Sequence, residues 1–271
     1  VVWSISPNPT IADSKTTDGA ISVIGAFPSS MTGLTPGTLY YVRAYATNSA
    51  GTSYGTEVSF ISLLAPTVTT QAVTDITTAT ATGNGDITAL GTFNPTEHGV
   101  AWSTLANPTI ADSKTTDGPV SATGAFTSNI TGLTPGTLYH VRAYATSAAG
   151  TSYGGDVSFT AYQVPTVTTQ TGTSIGTDTA TGNGNVTVLG VPNPTEHGVV
   201  WSTSVDPTLA DGKTTDGGVG ATSAFTSNIT GLAPGMLYHV RAYATNAAGT
   251  SYGDDVTFTT LPSSTGTTTP P

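Results

Sequence analysis

The stretch LYHVRAYATSAAGTSYG, residues 138–154, decides the fold. Tyr139, Val141, Ala143 and Ala145 alternate with Leu138, His140, Arg142 and Tyr144, which is the two-residue period of a strand. The first set is predicted to point inward and the second outward. Ala-Ala-Gly ends the run and Thr-Ser-Tyr restarts it, so a hairpin is expected with Gly150 at a positive-φ position. The same letters also spell G-x-S-x-G over Gly150–Gly154, the form of a serine-hydrolase nucleophile elbow. An elbow is made once, on a strand–turn–helix, with an acid and a histidine following it. Here the motif recurs as Gly51–Gly55 and Gly249–Gly253, no helical period follows, and no histidine lies beyond Ser251. The sequence reads as a turn.

The repetition extends outward from there. YVRAYATN starts at Tyr41, HVRAYATS at His140 and HVRAYATN at His239, so each copy lies 99 residues after the last. The same offset relates Trp3, Trp102 and Trp201, and Tyr54, Tyr153 and Tyr252. Solenoid repeats run to about 20–50 residues, whereas about 100 residues build an independent β-sandwich. The expected organisation is therefore tandem modules: an incomplete one at 1–63, complete ones at 64–162 and 163–262, and a Thr/Pro-rich tail at 263–271.

Composition agrees. Threonine makes up about a fifth of the chain, with 32 Gly and 17 Pro, favouring short strands and many turns over helices. In the second module, strands are expected at 67–71, 78–87, 97–104, 124–133, 138–146 and 152–160. They are lettered A, B, C, E, F and G. Val100 and Trp102 should share one face of strand C.

The segment LTPGTLYHVRAYATSAAG (133–150) resembles the E–F corner and F strand of fibronectin type III domains. The wider module, with NPTEHGVAWST, ADSKTTDG and AGTSYG, is similar to the fibronectin type III-like repeats of large bacterial secreted and surface proteins. The resemblance spans 1–262. It implies an all-β fold of tandem immunoglobulin-like (fibronectin type III-like) sandwiches and no catalysis. It also implies structural roles for Tyr40, Tyr139 and Tyr238, each a tyrosine-corner residue whose hydroxyl bonds back to upstream backbone. Trp3, Trp102 and Trp201 are expected in the core.

Charge excludes several partners. Six Lys and Arg against 16 Asp and Glu give a net charge of −10. That is too few cations for a phosphate backbone or an anionic membrane surface, and no apolar run approaches the ~18 residues of a membrane-spanning helix. There is no cysteine. Few charges and much threonine suit an extracellular or cell-surface protein.

Other constellations have plain readings. Glu97-His98 and Glu196-His197 are neighbours in a strand and so point to opposite faces, unable to converge on one ion. GNGD (83–86) and GNGN (182–185) lack the helix of a phosphate cradle and read as a bulge or bend. In ADSKTTDG, Asp112 and Asp117, with Asp211 and Asp216 in the third copy, are weak calcium candidates, but two carboxylates flanking a lysine read better as turn caps. No other cofactor is implied. Arg142–Tyr144 and Arg241–Tyr243 on the outward face of strand F form a candidate contact strip for surface glycans or another module. Asn129, Asn185 and Asn228 stand in N-x-T sequons.

Residues 1–63 have no counterpart of 64–99, so strands A and B are missing and C, E, F and G are expected. Trp3, Phe27, Tyr40 and Val42 should then face water, and the face calls for completion, either by further residues of a longer chain or by strands of another chain. Pro66 and Pro165 should stiffen the connections between modules. The function expected is a structural or adhesive rod or fibre whose partners are other modules or copies of itself. The alternative is a glycan-binding accessory region of a secreted polysaccharide-degrading enzyme.

Overall fold

The structure, a computed structural model, describes residues 1–263; the tail at 263–271 lies outside them apart from its first residue. Every regular element is a strand. The first copy has β1 (Val2–Ser4), β2 (Ser14–Lys15), β3 (Leu39–Arg43), β4 (Tyr45–Asn48), β5 (Gly51–Tyr54) and β6 (Val58–Ile61). The second has β7 (Thr67–Thr74), β8 (Ala81–Ala89), β9 (Glu97–Ser103), β10 (Ser113–Lys114), β11 (Gly124–Ile130), β12 (Leu138–Ser147), β13 (Gly150–Tyr153) and β14 (Val157–Thr160). The third repeats that pattern as β15 (Thr166–Thr173), β16 (Thr179–Val188), β17 (Glu196–Ser202), β18 (Gly212–Lys213), β19 (Ser223–Thr230), β20 (Leu237–Asn246), β21 (Gly249–Tyr252) and β22 (Val256–Thr259).

In each complete copy one sheet has three strands, in order β11-β8-β7 and β15-β16-β19. The other has five, β10-β9-β12-β13 and β18-β17-β20-β21, with β14 and β22 also paired to β12 and β20. These are tandem β-sandwiches. The chain divides into two compact units. One holds Val1–Ala72, Gly83–Ser128 and His140–Val157; the other holds Val73–Thr82, Asn129–Tyr139 and the chain from Ser158 on. Residues of the middle repeat fall in both.

Alternation builds the cores. In the first unit Val68 and Ile87 of one sheet meet Ala143 and Ala145 of the other, with Leu90, Val120 and Phe126 beside them. In the second unit Val167, Val186, Ala242 and Ala244 do the same, with Val219 and Phe225. Gly85 and Gly184 explain the GNG motifs. A Cβ at either would run into a phenylalanine ring, Phe126 or Phe225, and into Ala143 or Ala242. The motif is therefore not a bend. Thr179–Val186 pair with β19 without a register shift, and the bulge opposite lies in β15, between Gln170 and Thr173.

Three strand expectations need correction. Strand B begins at Ala81, because Thr77 turns onto Thr80: the Thr77 N–H and hydroxyl both donate to the Thr80 carbonyl, at 2.8 and 3.1 Å. Strand G is broken between Tyr153 and Val157. At the break the Ala143 N–H donates to the Thr70 hydroxyl at 2.9 Å, bridging the two sheets. Gly154 is needed there because a Cβ would strike the Thr70 backbone. Finally, strand E does not form in the first copy: no strand lies between Lys15 and Leu39. In the complete copies that strand pairs with strand B; the first copy carries Pro28 where β11 has Thr127, and a proline removes a ladder N–H.

The first copy also buries more than expected. Trp3, Tyr40 and Val42 are 9%, 7% and 8% exposed, packed together with Val1, Met31, Leu34 and Phe60. Phe27 remains 45% exposed.

Candidate functional site

The residues singled out from the sequence fall into three groups. The first is the corner tyrosines. The hydroxyls of Tyr40, Tyr139 and Tyr238 accept the N–H of Thr35, Thr134 and Ala233, each five residues upstream, at 3.0, 3.1 and 2.9 Å. Their rings lie against Phe60, Phe159 and Phe258 at 5.8–5.9 Å. Trp201 packs beside Val199, Tyr238 and Val240 and covers Gly212 on the edge strand β18. Trp102 occupies the same register against Ser113.

The second group is the proposed contact strip, and here the sequence reading fails. Tyr144 and Tyr243 are both 0% exposed. They point away from the sandwich core as expected, but their face of the sheet is itself covered. The loop after the edge strand folds across it. The Tyr144 hydroxyl lies 2.5 Å from Glu97 Oε1 and 2.6 Å from the Thr115 carbonyl. Lys114 Nζ sits 2.8 Å from Glu97 and 5.7 Å from the Tyr144 ring centre. Tyr243 repeats this with Glu196 and Thr214 at 2.5 and 2.6 Å. Burial, and then the neighbouring glutamate, push both phenols far up. Lys114, and then the Tyr144 hydroxyl, hold the Glu97 carboxyl below the usual range.

Arg142 and Arg241 do cover tyrosines, but different ones. Their guanidinium carbons lie 4.7 and 4.8 Å from the ring centres of Tyr153 and Tyr252. Each Nε also donates to a carbonyl, Gly154 or Gly253, at 2.8 Å. Arg43 and Tyr54 repeat the stack at 4.5 Å. The tyrosine of the GTSYG turn is thus the ring under the arginine, and its hydroxyl accepts an N–H from the acidic loop: Ile110 to Tyr153 at 3.0 Å and Leu209 to Tyr252 at 3.1 Å. Ser152 pairs with Ala145 inside the β12–β13 hairpin, and Gly150 has φ 120°.

The third group is the acids and histidines. Asp112 accepts the N–H of Thr109 at 2.8 Å and its hydroxyl at 3.2 Å; Asp211 does so with Thr208 at 2.8 and 3.3 Å. Asp117 and Asp216 accept the hydroxyls of Ser128 and Ser227. Among the described residues no three His or acidic side chains gather where a metal could be held. His98 bonds the Gly118 carbonyl at 2.8 Å and meets Phe126 edge-on, facing away from Glu97. His140 pairs with Asp156 at 3.0 Å and His239 with Asp255 at 2.9 Å. Asp156 also caps the left-handed Asn107 N–H at 3.0 Å. The role of Glu97, noted from the sequence only beside His98, and those of Thr115 and Asp156 were missed by sequence reasoning; their signal was the 99-residue recurrence of Glu97 as Glu196, Thr115 as Thr214 and Asp156 as Asp255.

No family model and no curated protein matches the chain. Among solved structures, the FN1–FN3 domains of chicken CNTN1 match at 16% identity and a TM-score of 0.36, covering 83% of this chain and 76% of that one. The fold assignment rests on the sheets. They define a tandem array of antiparallel β-sandwiches whose pattern repeats every 99 residues. No helix among the described residues is long and apolar enough to cross a membrane.

Proposed function

We propose that the chain is a non-catalytic structural or adhesive array, acting outside the cell or on its surface. Its modules would serve length, stiffness and contact with other modules or chains, as a rod or fibre. One observation supports this most: the side chains capable of chemistry are engaged inside their own repeat. Tyr144 is held by Glu97 and Thr115, His140 by Asp156, and Arg142 by Tyr153 and Gly154. A nucleophile needs a base within hydrogen-bond reach and room for a substrate. Ser152 of the GTSYG motif lies within the β12–β13 hairpin instead, in register with Ala145. The two tyrosines nominated for a glycan platform are buried, so that second reading loses its residues. Electron microscopy of the native material tests the proposal. Strings or filaments of sandwich-sized beads are expected; compact single particles would contradict it.

A further inference from the structure

A sheet edge is a row of unpaired N–H and C=O groups, and folded chains blunt such rows with short strands, bulges, prolines or lysines. The third copy does so at three of its edges. β18 is two residues long and carries Lys213. β21 and β22, at the other side of that sheet, have four residues each. β15 shifts register against β16 at two places, Thr166/Val167 and Gln170/Thr173. The fourth edge, β19, has none of these devices. It runs eight residues, Ser223–Thr230, and pairs with β16 without a register shift. It contains no charged residue and no proline. Among the described residues no backbone group pairs with its far side. β11 ends its sheet likewise and shares its letters, AFTSNIT at 125–131 and at 224–230. The first copy has AFPSSMT at 26–32, with a proline in the run and no strand.

Charge and symmetry specify what such an edge takes. Phe225 and Ile229 pack into the core, and the Ser227 hydroxyl is held by Asp216 of the same copy. Ala224, Thr226, Asn228 and Thr230 alternate with them and are exposed. The chain has a net charge of −10, so two copies repel where their acidic surfaces meet. Along β19 they meet no charge. An antiparallel strand pair is also its own complement: a two-fold axis between two identical strands sets each outward N–H against a C=O. Threonine and asparagine then stand among their like on the exposed face, where hydroxyls and amides bond across strands.

We propose that β19, and β11 with the same sequence, is a homophilic docking edge that pairs antiparallel with the same strand of a second copy of this chain. Two three-stranded sheets become one of six. This rests on the array reading above and names the contact between chains. A chain bearing two such edges can hold two neighbours, so association extends beyond a pair.

The test is sedimentation of the 1–271 chain over rising concentration, with amide exchange on the same samples. Mass should grow with concentration. Alternate amides of Ser223–Thr230 and Gly124–Ile130 should gain protection, while those of β21 and β22 stay unchanged. Thr127→Lys combined with Thr226→Lys sets like charges across every contact and should weaken association at least ~10-fold, with Tm unchanged. Thr127→Ser combined with Thr226→Ser keeps the edge neutral and should associate like the parent. A chain that stays monomeric throughout overturns the proposal. Association that survives both lysines overturns it too, as does protection gained on other strands instead. The exchange pattern decides without any variant, so a misfolded lysine chain does not rescue the idea. Beaded strings test tandem order within one chain: a beaded chain that stays monomeric fails this proposal alone, and compact particles that associate through β19 fail the array reading alone.

Discussion

The Tyr144 hydroxyl and the Glu97 carboxylate lie 2.5 Å apart, 47 residues apart in sequence, and the same pair recurs as Tyr243 and Glu196. Each bond ties strand C to strand F on the face away from the core, beneath the loop that follows the edge strand β10 or β18. Tyr144→Phe removes the donor but keeps the ring. A loss of about 1.5–3 kcal/mol is expected, the range for a hydrogen bond to a charged group, and it should be read as a lower Tm by calorimetry. A Tyr144→Phe chain with unchanged stability would contradict a stabilising role for the bond to Glu97.

The carboxyl of Glu97 supplies a pH dependence. Its folded value lies below its ordinary value of about 4.3. The stabilisation is thus fully present above that ordinary value, and is lost as pH falls through the lower folded value. Glu97→Gln should flatten the acid limb of the Tm-against-pH curve and leave the neutral limb parallel to the parent. A parallel acid limb would contradict the assignment.

Thr70 and Thr169 bridge the two sheets through the N–H groups of Ala143 and Ala242, at 2.9 Å each. Valine at either position keeps the shape and strands a buried donor. The expected cost is about 1–3 kcal/mol per site, measured by urea unfolding. Threonine to serine should recover most of it.

Glycine at the strand-G break offers an internal comparison. Gly154→Ala and Gly253→Ala place a Cβ against the Thr70 and Thr169 backbones and should cost about 1–3 kcal/mol. Gly55→Ala meets only Ala44, with no approach closer than 3.6 Å, and should stay within about 0.5 kcal/mol. Equal effects at the three positions would mean that the first copy is already closed.

The sandwich was legible in the sequence because its evidence is local. Tyr139, Val141, Ala143 and Ala145 announce an inward face by alternation alone, and the recurrence of Trp, Tyr and Gly at 99 residues sets the module. The errors came where a strand depends on a distant partner. Residues 25–31 keep the apolar spacing of β11 but place Pro28 where β11 has Thr127, so one ladder N–H is missing from the run. Tyr144 was assigned the correct face, but a period of two does not reveal that an edge loop covers that face. The arginine stack went to Tyr153 rather than Tyr144 because cross-strand neighbours, Tyr144 and Tyr153 among them, are set by hairpin register and not by sequence proximity.

Pulling single chains by their ends tests the account most directly. If each 99-residue repeat is a sandwich that folds on its own core, the two complete copies should yield two separate rupture events. Each should release roughly 330–350 Å of chain, the extended length of one repeat, and residues 1–63 should lengthen at lower force. A single rupture releasing the whole chain at once would contradict it.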